Sequence, residues 1–152
     1  MRERGVTLIE MMIVVTIVAV VAAVSFPSVN SGLDSLRLTS ASDSIVSFLN
    51  GALNRAERRQ EAVEVTISKS SNTLAIRTSD PNFIRQMGMP DGVTIAKIHP
   101  EIQEEENAPR VYLVQPGGTI PRFGIEIVNR RGQHRIVRVD PITGVPRVEI
   151  LQ

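Results

Sequence analysis

The residue whose chemistry stands out in this chain is Glu10, a carboxylic acid inside a run of apolar side chains. The run covers residues 6–26, and Glu10 is its only charged member. A carboxylate inside a membrane-like segment costs about 2–3 kcal/mol or more, so it requires a partner. A short charged leader that contains Arg2 and Arg4 and ends in Gly5 precedes the run. We therefore expect Glu10 to have a partner.

The apolar run has the length of a membrane anchor. About 21 residues make a helix of roughly 31 Å, which matches the hydrocarbon core of a bilayer. Arg2 and Arg4 favour a cytoplasmic leader with the rest of the chain on the other side. A secretory signal peptide is the alternative, because residues 22–25 could mimic its cleavage site, but its apolar core is usually shorter.

Residues 5–10, Gly-Val-Thr-Leu-Ile-Glu, resemble the class III signal of type IV pilins and of the pseudopilins of type II secretion. The resemblance implies that a membrane-embedded prepilin peptidase cleaves after Gly5 and methylates the new amine of Val6. The family usually has Phe or Met where this chain has Val6. Pro27 stands where the family has a proline, and a proline at this point fits a helix kink.

The same resemblance implies a partner for Glu10. In the family filament, this glutamate is thought to pair with the N-terminal amine of a neighbouring subunit. Such a pair is strongly favoured over two isolated charges in a low-dielectric core. An intrachain contact with Val6 is the alternative, because residues four apart lie on one face of a helix.

Composition limits the remaining function classes. The chain has 152 residues, a formal net charge of +1 and no cysteine, so neither a strong global field for nucleic acid nor a disulfide framework is indicated. No catalytic or nucleotide-binding motif stands out, and we expect neither an enzyme nor a cofactor. His99 and His134 are isolated in the sequence, which argues against zinc. The acidic residues Glu101 and 104–106 read as a solvated charge run rather than a calcium site.

The pattern after the anchor predicts an α+β fold. Apolar residues at three- and four-residue spacing predict an amphipathic helix that continues to about Gln60. From Ala62 the period changes to two, which indicates strands. We expect a leader at 1–5, a membrane or filament-core helix at 6–32, an amphipathic helix at 33–60 and a β-rich domain at 61–152. The expected strands are 63–68, 73–78, 93–98, 110–115, 123–128, 133–139 and 145–151, with loops at 80–91 and 100–108.

The globular part resembles the GspH/FimT group of minor pilins, through residues 49–60 leading into 63–67 and through residues 135–144. This resemblance implies a helix packed on antiparallel β-sheet and a subunit at or near the tip of a type II secretion pseudopilus or a type IV pilus. The implied partners are other pilin subunits, the prepilin peptidase, the inner membrane and its assembly platform. The implied location is the inner membrane with a periplasmic C-terminal domain, and then the pseudopilus or an extracellular pilus.

DNA binding during uptake is the alternative function. Some members of the group bind DNA and share a Gly-Arg-x-Arg tail, whereas here the stretch is Gly144-Val145-Pro146-Arg147. Arginines can neutralise phosphates, but cations on hairpin tips and edge strands also prevent edge-to-edge pairing. A third hypothesis, an anchored periplasmic sensor or enzyme, requires a mature chain that keeps its leader. The candidate DNA-contacting residues are Arg130, Arg131, Arg135, Arg138 and Arg147.

Overall fold

The computed structural model describes residues 6–101, 108–117, 121–140 and 142–150, without the side chains of residues 24–31. The chain divides into two units, Met1–Leu33 and Asp34–Gln152. Helix α1, Leu8–Arg59, contributes residues to both units and ends where the sequence pattern predicts. The acidic residues 104–106 lie outside the described residues.

In the first unit, the apolar side chains of α1 that the structure describes are exposed, from Leu8 to Val21. The hydroxyl of Thr16 donates a hydrogen bond to the carbonyl oxygen of Met12 at 2.7 Å, so this polar group is satisfied within the helix. Among the described residues, no helix combines the length and the hydropathy that crossing a membrane requires.

In the second unit, the predicted apolar face of α1 is the buried face. Its side chains recur at spacings of three and four residues, and Ile45 is fully buried at its middle. Ser42 is also buried, and its hydroxyl donates to the carbonyl oxygen of Leu38 at 2.8 Å, so it needs no partner outside the helix. The buried apolar residues of α1 are Leu38, Ala41, Ile45, Leu49, Ala52 and Ala56.

Within the part of the chain that the structure describes, eight strands form two four-stranded antiparallel sheets. The first sheet has the order β3-β2-β1-β5 and the second has the order β4-β6-β7-β8. The buried side chains of α1 and of both sheets form one apolar core that is rich in Val and Ile. The predicted α+β architecture, a long N-terminal helix packed on antiparallel β-sheet, is therefore confirmed. The strands are β1 Val63–Ser68, β2 Thr73–Thr78, β3 Ile84–Gly88, β4 Val93–His99, β5 Arg110–Val114, β6 Gly124–Asn129, β7 His134–Val139 and β8 Pro146–Ile150.

The expectation of a loop at 80–91 is wrong, because β3 lies within it. This strand pairs with β2 at the edge of the first sheet, and four of its five residues are exposed. Its side chains therefore carry no inside–outside alternation, which is the signal that predicts a strand from sequence.

Asn72 connects the two sheets. It occupies the β1–β2 turn with a φ of 56°, a conformation that asparagine tolerates better than most residues. Its side-chain amide donates to the carbonyl oxygen of Val93 at 2.9 Å, and its side-chain oxygen accepts from the backbone N–H of Ile95 at 2.8 Å. Both bonds join a turn of the first sheet to strand β4 of the second.

Arg55 fixes the loop before β3 to the end of α1. The guanidinium carbon lies 3.4 Å from the ring centroid of Phe83, in a cation–π contact. Its Nε atom also lies 2.8 Å from Oε1 of Glu61, in an ion pair whose geometry is not that of a hydrogen bond.

Candidate functional site

The N-terminal candidate site lies where α1 begins. Val6 and Thr7 precede the helix, and the Thr7 hydroxyl accepts a long hydrogen bond from the backbone N–H of Glu10 at 3.4 Å. Threonine followed three residues later by glutamate is the sequence pattern of a capping box. Glu10 is exposed in the first turn, where the helix dipole favours a negative charge. Its carboxylate is thus open to an amine from outside.

Two of the predicted functional residues of this region fall outside what the structure describes. Gly5 precedes the described residues, and the side chain of Pro27 is outside those that the structure describes. The helical backbone of α1 continues through position 27. Cleavage after Gly5, methylation of Val6, pairing of Glu10 and a kink at Pro27 all stay predictions.

In the second unit, a β-bulge in β4 decides which side chains reach the face of the second sheet opposite the core. The pairing with β6 shifts register between Ile95 and Lys97, so Ala96 is an extra residue. After the bulge, Ile98 faces the core, while His99 faces the opposite side, with Glu126. A strictly alternating strand would reverse these two orientations.

An imidazole–carboxylate cluster, made of His99, Glu126 and His134, lies on this face. Oε1 of Glu126 is 2.8 Å from Nδ1 of His134, and Oε2 is 3.2 Å from Nε2 of His99. Because an ionised carboxylate only accepts hydrogen bonds, each imidazole must carry a proton on the nitrogen that faces it. Three adjacent strands, β4, β6 and β7, are thereby joined through one side chain.

The cluster sets the electrostatics of Glu126. Burial raises the pKa of its carboxyl, but the hydrogen bonds and charges of His99 and His134 together lower it, and the net pKa lies below the ordinary 4.5. Only 10% of the Glu126 side chain is exposed, compared with 31% for His99 and 39% for His134. The charged form of Glu126 is therefore the stabilised one.

Sequence reasoning missed this cluster because His99 and Glu126 lie on strands that pair without being consecutive. The predicted neighbouring strands 123–128 and 133–139 do contain a signal for the contact between Glu126 and His134, since pairing of these two strands brings both residues within two register positions. Within the described ranges, no group of three or more His, Cys, Asp or Glu side chains has an arrangement suited to a metal ion.

The five predicted arginines do not share one surface. Arg130 and Arg131 are exposed at the β6–β7 turn. Arg138 of β7 and Arg147 of β8 are register partners near the opposite end of these strands. Arg135 points to the other face of β7, because it is three residues from Arg138.

Comparison with known proteins gives two kinds of likeness. Residues 1–26 match a family model described as the prokaryotic N-terminal methylation motif. No curated protein matches the chain. Two solved structures share its fold, and their low sequence identity to this chain means that they show the fold alone.

The first is the minor pseudopilin EpsH from the type 2 secretion system of Vibrio cholerae, with 13% identity, 75% of this chain and 97% of that chain covered, and a TM-score of 0.57. The second is the type IV minor pilin FimU of Pseudomonas aeruginosa, with 16% identity, 76% of this chain and 88% of that chain covered, and a TM-score of 0.53. The methylation motif and the pilin-like fold that the sequence resemblance implied are both present.

Proposed function

We propose that this chain, a pilin-like protein with a prokaryotic N-terminal methylation motif, is a non-enzymatic minor subunit of a type II secretion pseudopilus or a type IV pilus. One observation supports the proposal above others: the motif at residues 1–26 and the minor-pilin fold occur in the same chain. Neither feature depends on the other, since the motif precedes the globular unit Asp34–Gln152.

The first step in this function is processing by prepilin peptidase, which cleaves after Gly5 and methylates Val6. The helix begins only at Leu8, so Val6 and Thr7 remain outside it, next to the proposed cut. The mass of the mature N-terminus from the native membrane tests this step. We expect a chain that begins with methylated Val6, and a chain that retains Met1 or Arg2 would refute the proposal.

The second step is transfer from the inner membrane to a filament. Before assembly, residues 6–32 anchor the chain in the inner membrane, with the C-terminal domain in the periplasm. The all-round exposure of apolar side chains in the N-terminal part of α1 supports this step, because such a helix requires lipid or neighbouring helices around it. The assembly platform would deliver the subunit, and other pilin helices would then replace the lipid.

Glu10 provides the test of assembly. The Glu10 carboxylate is exposed, so we expect it to bind the N-terminal amine of a neighbour. Glu10→Ala should leave processing intact and reduce incorporation into the filament. Asp43→Ala, which removes an exposed acid from the globular part of the same helix, is the control. Normal incorporation of Glu10→Ala would refute the pairing between subunits.

The finer assignment, to the GspH/FimT group and to a place near the tip, is supported by the resemblance of residues 49–60, 63–67 and 135–144 to that group. The two solved structures with the same fold come one from each machine. Deletion of the gene separates the two machines. Loss of secreted proteins with normal pili would indicate type II secretion, whereas loss of surface pili with normal secretion would indicate a pilus.

DNA binding is a second candidate function, which one observation favours: Arg138 and Arg147 lie side by side on β7 and β8. A gel-shift at low salt with residues 33–152 tests it. If DNA binds, the double variant Arg130→Ala with Arg131→Ala should reduce the dependence of DNA affinity on salt concentration. With fewer contacts to phosphates, binding releases fewer counterions. Absence of a shift at low salt would remove this function.

A further inference from the structure

A row of four residues crosses the second sheet on the face opposite the core. His99, Gly124, Arg138 and Arg147 are successive register partners on β4, β6, β7 and β8, and we call them the basic row. Neighbouring strands are about 4.8 Å apart, so these residues span roughly 14 Å. Gly124 has no side chain, and a Cβ at this position would lie 3.4 Å from Cγ2 of Ile136 and 3.6 Å from Cβ of His99.

Three members of the row, His99, Gly124 and Arg138, line a cleft of about 380 Å³, which also has Arg122 at its edge. The Phe123 ring is buried and stacks on Tyr112, with centroids 4.3 Å apart and an interplanar angle of 18°. The backbone N–H of Val139 donates to the carbonyl oxygen of Phe123 at 3.0 Å. The residues that follow Arg122 and Arg138 are thus bonded to each other, and the two arginines are held beside one cleft. The lining residues are His99, Pro100, Arg122, Phe123, Gly124 and Arg138.

The charges around this cleft are unevenly matched. Arg138 and Arg147 face each other across β7 and β8, and like charges in that arrangement destabilise a sheet. Glu149 approaches Arg138 only to 3.6 Å, with about half of its side chain exposed. The buried carboxylate nearby, Glu126, is already bound by two histidines. Arg147 also interacts electrostatically with Asp140, so among the described residues Arg122 and Arg138 are the guanidinium groups open to another carboxylate at the cleft.

We propose that this cleft binds a carboxylate carried by an extended, partly apolar segment of another polypeptide. Guanidinium groups at the edge match the planar carboxylate, and the Pro100 ring provides apolar surface beside them. A nucleic-acid backbone fits this surface less well. Arg138 lies roughly 13 Å along β7 from His134, the first residue of the strand. Arg130 and Arg131 precede His134, so they do not extend the row into a continuous basic surface.

This proposal goes beyond the subunit function, because its residues lie in the unit Asp34–Gln152 and do not depend on processing at Gly5. It is tested on the full chain in non-ionic detergent by fluorescence anisotropy. The probe is a labelled eight-residue peptide of alternating Glu and Val, with empty micelles as the blank. The comparison probes are the same peptide with Gln in place of Glu and a labelled oligonucleotide of twenty thymidines.

We expect the Glu peptide to bind and the Gln peptide to bind at least tenfold more weakly, since charge-assisted hydrogen bonds contribute about 1.5–3 kcal/mol each. Arg122→Gln combined with Arg138→Gln should weaken binding of the Glu peptide by about tenfold or more. The matched control, Arg130→Gln with Arg131→Gln, should change it by less than about twofold. Circular dichroism checks that each variant is folded.

A gain of affinity provides the sharper test. Glu149→Gln removes the carboxylate that competes for Arg138 and should tighten binding of the Glu peptide by about twofold to fivefold. Four results would overturn the proposal: no binding of the Glu peptide, equal binding of the Gln peptide, no effect of the Arg122 and Arg138 changes, or displacement of the peptide by the oligonucleotide. Methylation of Val6 is measured separately, so the absence of peptide binding would not contradict the proposed function as a pilus or pseudopilus subunit.

Discussion

Replacing Glu126 with glutamine should weaken the domain near neutral pH. The Glu126 carboxylate accepts imidazole hydrogen bonds at 2.8 Å and 3.2 Å while only 10% of its side chain is exposed. A hydrogen bond to a charged group contributes about 1.5–3 kcal/mol. Glutamine keeps the shape and one acceptor oxygen, so one of the two bonds survives. We therefore expect Glu126→Gln to lower the free energy of unfolding by about 1.5–3 kcal/mol.

The size of this loss should depend on pH. Because the pKa of Glu126 in the folded state lies below 4.5, its contribution is fully present above the unfolded-state pKa and is lost as pH falls through the folded-state pKa. The difference between wild type and Glu126→Gln should thus be full at about pH 6 and shrink below about pH 4. Urea unfolding of residues 34–152, followed by circular dichroism over this range, measures it.

A matched control is the exposed carboxylate Glu149, which lies 3.6 Å from Arg138. Glu149→Gln should change the free energy of unfolding by less than about 1 kcal/mol, because exposed ion pairs contribute little. Equal losses in the two variants would refute the reasoning. So would a Glu126→Gln loss that stays constant between pH 6 and pH 3.

Three further changes test the packing that positions these surfaces, each by urea unfolding of the same unit. Ile45→Ala should cost about 2–5 kcal/mol because Ile45 is fully buried, whereas Ser44→Ala on the exposed side should stay within about 0.5 kcal/mol. Asn72→Ala should cost about 1–3 kcal/mol, since it removes both side-chain bonds between the sheets, and a smaller loss would show that they are dispensable. Arg55→Ala should cost about 1–2 kcal/mol through its contact with Phe83, and Arg55→Lys should restore only part of it.

The helix and most strands were predictable because their patterns are local. The apolar residues of α1 recur every three or four positions, and the alternation of Val63, Val65 and Ile67 with polar residues matches their burial. β3 was not predictable in this way, since an exposed edge strand has no buried face to impose a pattern. It is stabilised by backbone pairing with β2, and this pairing does not require particular side chains, so the composition of β3 does not indicate a strand.

The candidate surfaces were less predictable, because they depend on register between distant strands. Arg138 and Arg147 could be selected as basic residues, but only the register shows that they are neighbours and that Arg135 is on the other face. His99 and Glu126 are 27 residues apart, and they meet because β4 pairs with β6. The N-terminal motif is the opposite case, since its information lies within a few consecutive residues.

The bulge in β4 has a consequence for how the gene can change. Deletion of the single codon for Ala96 would remove the extra residue and restore strict alternation without turning the rest of the strand over. Ile98, of which only 5% is exposed, would still face the core, and His99 would still lie on the face of Glu126. An insertion of one amino acid here would instead have to form a second extra residue, or it would turn Ile98 and His99 to the opposite faces.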